Sequence, residues 1–394
     1  MGWFAQEVSL LDGAEDFDVM IRRLANSILP LGLSVEETDG DALKIAGITT
    51  TLTNLRKAWV EQDAQDRVPW LERTVGAFLS PQAIPDALDV TRVRPSVVTK
   101  SALGISALRA LVDDDEPAVA PMPHQPIGGD LTWTVVWDTP ATMKVLDAEQ
   151  LETWNVPFAT LLDEAMCNLA MQPFLGWESV EGRIFAPRGL DDYDGARVFL
   201  PGQLDFLPFD EERVIFHPTR SSCAVMSIDD EDAIALAAER ALSHIGAANR
   251  ISLAPIVGGR HGWRPLRLEP GHAAYKDCSR LMTYDRAAAY ETQNRLLGAV
   301  LGEDVFVTSY NPFELSTGAL SSYCTWAEGV EALLPEADHV AFCATDSDPF
   351  LVRWETAHEV CGYLMEGTEH EPARWRVADF PSETDLLVLR SHEI

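Results

Sequence analysis

The stretch DFDVMIRRLANSILPLGLSVEETDGDALKI, residues 16–45, sets the class of fold. Phe17, Met20, Ile21, Leu24 and Ile28 recur at helical spacing, with Asp16 as the N-cap. Pro30 and Gly32 stop that helix. Leu33 and Val35 then alternate, Asp39 and Gly40 form a two-residue turn, and Leu43 and Ile45 alternate on the return, which reads as a hairpin. Further on, Leu52, Leu55 and Trp59 share a helical face. A third helix starts near Pro69 and uses Leu71, Val75 and Phe78. Helix, two strands, helix, helix is the order of an α+β layer, with helices on one face of an antiparallel sheet.

The same grammar returns downstream. Residues 113–130 carry Asp113, Asp114, Asp115 and Glu116, then Pro117, Pro121, Pro123 and Pro126, then Gly128 and Gly129; this lost periodicity predicts a linker or exposed loop. A strand is predicted over 131–137, a short helix capped by Asp147 with Gln150, and another helix opened by Pro157. Short strands are predicted near Ile184 and over 197–200, 213–216 and 223–228. Asp229, Asp230, Glu231 and Asp232 crowd the start of the next helix, where carboxylates suit the helix dipole. A Gly- and Pro-rich stretch from 251 to about 285 leads to a last unit. It has a helix through Ala289, Leu296 and Val300, strands at 305–310, 323–326, 339–344, 374–377 and 386–389, and a helix over 354–365. The predicted fold is therefore α+β: two helix-strand-strand-helix lobes with small antiparallel sheets, 1–124 and 125–250, a connecting segment 251–284, and a C-terminal α+β unit, 285–394.

Composition narrows the function classes. The chain has 394 residues, and its 46% apolar content is that of globular proteins. Sixty-two Asp and Glu oppose thirty Lys and Arg, a net charge of -32. Such a surface repels phosphate backbones and anionic lipids, so neither nucleic acid nor membrane is expected as a partner; a basic protein is the partner that charge would favour. The six cysteines are scattered without a CxxC pair and read as reduced thiols. No leader-like segment opens the chain and no window is long and apolar enough to span a bilayer, so a cytosolic location is expected.

Several blocks carry a family resemblance: Thr51-Leu52-Thr53-Asn54-Leu55-Arg56; Thr91-Arg92-Val93-Arg94-Pro95; Leu131-Thr132-Trp133 through Asp138; Leu146, Asp147 and Leu151; Ala165-Met166-Cys167-Asn168-Leu169; and Asp194-Gly195-Ala196-Arg197-Val198-Phe199-Leu200. In this order they resemble the YtpQ-like family of bacterial proteins of uncharacterised function, over about residues 17–245. The resemblance implies a bacterial cytosolic origin and a shared fold, and no reaction. The family's turn with Pro, Asn, Arg and Asp reads here Pro218-Thr219-Arg220-Ser221-Ser222, which keeps Pro and Arg and replaces the other two. Any activity needing that carboxylate is thereby put in doubt.

Short catalytic motifs are absent: no GxGxxG, GxxxxGK, GxSxG or HExxH occurs. His358 and Cys361 are three apart on a predicted helix, but zinc needs three or four ligands, and Cys361 reads as core packing with His358 a flank residue beside Trp354. Asp191, Asp192 and Asp194 lack the later glutamate of a calcium loop and read as solvated. Ser221, Ser222 and Cys223 near His217 lack a base shown to be in reach. No metal or cofactor is expected. The stretch Gly258 to Arg264 gathers arginines in a chain short of them, where glycines let the backbone approach an anion and arginine grips it bidentately. The same arginines could instead be tied to local carboxylates. The leading reading is a non-catalytic protein-interaction or regulatory module. The alternative is an enzyme or small-ligand binder whose anion pocket is built by Arg220, Arg260, His261 and Arg264.

Overall fold

The computed structural model describes residues 84–112, 121–138, 143–188, 193–209, 212–220, 222–246, 250–259, 261–301 and 305–394, with three short strands between 35 and 51 and a few positions between 59 and 74. The helix predicted from Phe17 to Ile28 lies outside the described residues. The hairpin after it is present: Val35–Thr38 pairs with Ala42–Ile45 in antiparallel register, and Ile48–Thr51 adds a third strand.

The class is α+β. Leu131–Asp138 is the centre of a four-stranded antiparallel sheet. Val93–Thr99 runs along one edge, from Val93 opposite Trp137 to Thr99 opposite Leu131. Gln125–Gly128 and Met143–Val145 share the other edge. Residues 125–128 thus form a strand where a linker was predicted. Pro126 is compatible with this because an edge strand has one side free of ladder bonds. Gly129, at φ +58°, turns the chain back into Leu131.

A six-stranded antiparallel sheet follows, in the order Gly262–Pro265, Ile256–Gly259, Arg213–Thr219, Ser222–Ser227, Ile184–Pro187 and Trp177–Val180. It is covered on both faces, which is why Arg213–Thr219 is buried throughout. Ile215, Cys223, Val225 and Ile256 join one core with the first sheet and the helix Phe158–Ala170. Val214, Phe216, Ala224 and Met226 join a second core with the helix Glu231–Leu242. Asp147 and Asp230 cap their helices as predicted, accepting from Gln150 N at 2.8 Å and Ala233 N at 3.0 Å.

The C-terminal part holds two mixed four-stranded sheets. Phe306–Val307, Ala332–Pro335, Arg374–Val377 and Glu366–Gly367 form one; Asn311–Glu314, Leu320–Ala327, His339–Cys343 and Phe350–Arg353 form the other. Between them lies a third core with Trp326 and Phe342, both at 0% exposure, and the helix Trp354–Cys361. Burying Phe342 alone is worth roughly 1.5–3 kcal/mol. The segment 386–389, predicted as a strand, lies in the helix Glu383–Arg390, because Ser382 and Asp385 form a reciprocal capping box ahead of it. Likewise 197–200 does not form a strand: Arg197 ends the short helix Asp194–Arg197.

One helix, Tyr275–Leu301, reaches all of the C-terminal architecture and part of the rest. Its 27 residues span about 40 Å. Cys278 and Leu281 sit in the second core, Tyr290 in the third, and Leu296 and Leu297 in a fourth with Leu108 and Leu333. It begins ten residues before Asp285, where the last unit was predicted to start. All six cysteines carry free thiols. No helix among the described residues is long and apolar enough to cross a membrane.

Candidate functional site

The sequence-predicted site residues do not converge. His261 and Arg264 lie exposed on the hairpin formed by Ile256–Gly259 and Gly262–Pro265; Arg260 lies outside the described residues. Arg264 gives two parallel bonds to Glu212, at 2.8 and 2.9 Å, so its guanidinium is already engaged. That hairpin adjoins the Arg213 end of the strand Arg213–Thr219, whereas Arg220 follows its other end. A strand of that length spans about 20 Å, so Arg220 and the hairpin do not meet. The Arg220 carbonyl accepts from Gly195 N at 3.0 Å, and its side chain lines a cavity of only about 10 Å³ with Ser96, Tyr193 and His217.

The other clusters weighed in the sequence are accounted for by packing. His358 stacks edge-on against Trp375 with ring centroids 5.0 Å apart, and Cys361 is in the third core. His217 is wholly buried, which pulls its pKa down to about 4. Burial, helped by the charge of Asp194, pushes the Cys223 thiol up. A neutral imidazole and a protonated thiol are the unreactive forms of both groups at neutral pH. Asp194 is buried against Arg197 at 2.8 Å, and Asp191 and Asp192 lie outside the described residues. Among the described residues, no group of three His, Cys, Asp or Glu side chains is arranged to hold a metal ion.

A different place gathers charge under cover. A cleft of about 570 Å³ opens between the helix Lys100–Val112, the turn at Asp130, the segment 250–256, the middle of the helix Tyr275–Leu301, and residues 371–373. Gly104 lets the last of these walls come close, since a Cβ there would collide with the Glu371 carbonyl. Two residues of the long helix hold the same wall: Tyr290 Oη donates to Ala373 O at 2.8 Å and Gln293 Nε2 to Pro372 O at 2.7 Å.

Asp130, Asp285, Glu336 and Glu371 all line this cleft, and burial acts on the first two. Asp130 follows Gly129 at the hairpin turn and caps the helix Lys100–Val112. Its Oδ1 accepts from Ser101 N at 3.2 Å, and its carbonyl accepts from Lys100 N at 2.8 Å. Burial raises its pKa to about 6, against the pull of the Ser101 bonds and Lys100, and the charge of Asp285 adds to the rise. Asp285 Oδ2 accepts from Ser252 Oγ at 2.8 Å and Leu253 N at 3.0 Å, while Arg250 Nε lies 3.7 Å from Oδ1. Burial raises this group as well, outweighing Arg250 and those bonds. Arg286, the next residue, is half-buried. Burial lowers its pKa, yet Tyr310, Asp338, Glu336 and Tyr290 around it reverse the direction to a net rise.

The sign for Asp130 follows from its raised pKa. The folded protein holds that proton more tightly than the unfolded chain, so stability falls as pH rises from about 4 to 6 and is level above. The two-unit rise corresponds to about 3 kcal/mol at most. Asp130→Asn keeps an oxygen for Ser101 N and removes the titration. The variant should be more stable than the parent at pH 8 by about 1–3 kcal/mol and equal to it near pH 4. Urea midpoints at several pH values check this, and a parent-minus-variant difference independent of pH would refute it.

The cleft brings together Asp130, Arg250, Asp285 and Arg286 from three separate parts of the chain, none of them picked out by the sequence reading as site residues. Only the turn signal at Gly128 and Gly129 marked Asp130 as a special position. Among the described residues no cysteine or histidine lines the cleft, and Ser252 Oγ donates to Asp285 Oδ2 from the segment facing the long helix. The cleft presents charged groups of both signs. Compared with known proteins, the chain matches no family model, no curated protein and no solved structure.

Proposed function

We propose that the chain is a non-catalytic regulatory module that binds a small polar molecule in the cleft between the helix Lys100–Val112 and the helix Tyr275–Leu301. The observation that carries this reading is the enclosure of charged groups of both signs, from three parts of the chain, around a volume of about 570 Å³. Small-molecule sites typically occupy about 300–1,000 Å³ and place a few polar groups between elements. The cleft opens on the middle of the long helix, whose two ends serve different cores, so an occupant would bias how that helix packs. That is the physical basis of a regulatory role. The resemblance to the YtpQ-like family fits a bacterial cytosolic protein of this kind.

The test is a metabolite collection screened by thermal shift on the parent and on Ala289→Trp, which fills the cleft from the long helix. Compounds that stabilise the parent should lose their effect in a folded Ala289→Trp protein. Hits that persist undiminished in that variant would overturn the proposal, as would a complete lack of hits.

A further inference from the structure

We infer that the ligand of this cleft is a zwitterion of the amino-acid type, its carboxylate taken by Arg286 and its ammonium by Glu336; the inference rests on the cleft reading above. A second cavity, of about 500 Å³, lies across the same stretch of the long helix, lined by Tyr310, Ser321, Asp338 and Arg353 among others. Met282, Arg286 and Glu336 line both cavities, so these three residues form the waist between them.

Arg286 is half-buried at this waist, facing both cavities. Carboxylates outnumber basic groups two to one, and Arg183, Arg197, Arg250, Arg264 and Arg376 each have one within 4.0 Å. Among the described residues Arg374 has none; its Nε and one terminal nitrogen donate to Gln293 Oε1 and the carbonyls of Thr308 and Leu333. Among the described residues Arg286 has no carboxylate within 4.0 Å, and the Tyr310 hydroxyl is the neutral group beside it. Its guanidinium carries five N–H donors in a fork that matches a carboxylate. Glu336 is the complement: exposed, felt electrostatically by Arg286, and not in an ion pair with it. An anion and a cation facing one waist without closing on each other leave a slot for a molecule bearing both charges. A dianion such as phosphate fits less well, since Glu336 and Asp338 adjoin Arg286 and the whole chain carries -32.

The experiment is calorimetric titration of the full chain with the individual proteinogenic L-amino acids, with inorganic phosphate alongside. At least one amino acid should bind the parent, and phosphate should not. The N-acetyl and the amide derivative of that amino acid, each lacking one charge, should bind about 100-fold more weakly to the unaltered protein, because each leaves a charged side chain without its partner. Arg286→Gln should lose about 100-fold and Arg286→Lys about 10-fold, with circular dichroism unchanged. Equal binding of the charge-deleted derivatives would overturn the inference even if the Arg286 variants fail to fold. If Ala289→Trp abolishes binding of other compounds while no amino acid binds, the zwitterion fails and the cleft reading stands. If nothing binds the cleft, both fail.

Discussion

Arg197→Met is expected to destabilise the protein by about 3–5 kcal/mol, the cost of stranding a buried charge. Arg197 and Asp194 are 3% and 0% exposed as side chains and meet at 2.8 Å one helical turn apart. Arg197 also donates to Gln172 Oε1 at 3.2 Å. Desolvating both ions offsets much of their attraction, so the intact pair adds little net stability. Removing only the cation, however, leaves a carboxylate in a core that includes Cys223 and Val225. The double variant Asp194→Asn with Arg197→Met should therefore recover at least about 1–2 kcal/mol relative to Arg197→Met alone. Thermal unfolding followed by circular dichroism reads this as a fall of roughly 10 °C in the first transition for the single variant, partly restored in the double. A single variant within about 1 kcal/mol of the parent would show that the carboxylate is relieved some other way.

The second large effect is expected at Arg374, a charge with a different solution to burial. It is 1% exposed and has no carboxylate partner among the described residues; Nε donates to Gln293 Oε1 at 2.6 Å and one terminal nitrogen to Thr308 O at 2.8 Å and Leu333 O at 2.9 Å, while the other terminal nitrogen is buried without a hydrogen bond among the described residues. The guanidinium also lies 5.3 Å from the Tyr290 ring centroid. Burial lowers its pKa to about 10, so it remains charged at neutral pH. Arg374→Ala removes the donor to three buried acceptors and opens a cavity, for a loss of about 3–5 kcal/mol. Arg374→Lys keeps the charge but not the fork, and should lose about 1–3 kcal/mol. Urea midpoints should follow the order parent, lysine, alanine. Alanine matching or exceeding lysine in stability would mean that the charge is a net burden and the carbonyls tolerate its loss.

The two arginines show where sequence reading reaches its limit. Asp147 with Gln150 and Asp230 before its helix are local signals realised by contacts within a few residues, and the strand over 131–137 is a local pattern whose partner strand Val93–Thr99 lies far off in sequence. The runs at 197–200 and 386–389 are short apolar stretches whose periodicity does not separate helix from strand. For the second, the deciding sign was present in Ser382 and Asp385, three residues apart. The start of the long helix was illegible for another reason. Its buried residues, from Cys278 through Leu281 and Tyr290 to Leu297, face several cores in turn, so no single apolar stripe runs along it. The candidate site was illegible because it is wholly tertiary: Asp130 comes from a hairpin turn, Arg250 from a connecting segment and Asp285 from mid-helix. The glycine-and-arginine hairpin drew notice through local composition, yet Arg264 there is paired to Glu212.

The helix Tyr275–Leu301 also determines how this chain can be cut. A fragment ending at residue 284 would keep Cys278 and Leu281 and lose Tyr290, Leu296 and Leu297; one starting at 285 would have the reverse deficit. Each piece would expose an apolar face that its missing half normally covers, and would be prone to aggregate. Protease nicks that yield soluble products should therefore fall outside that helix, and any shortened version of the protein must retain it whole.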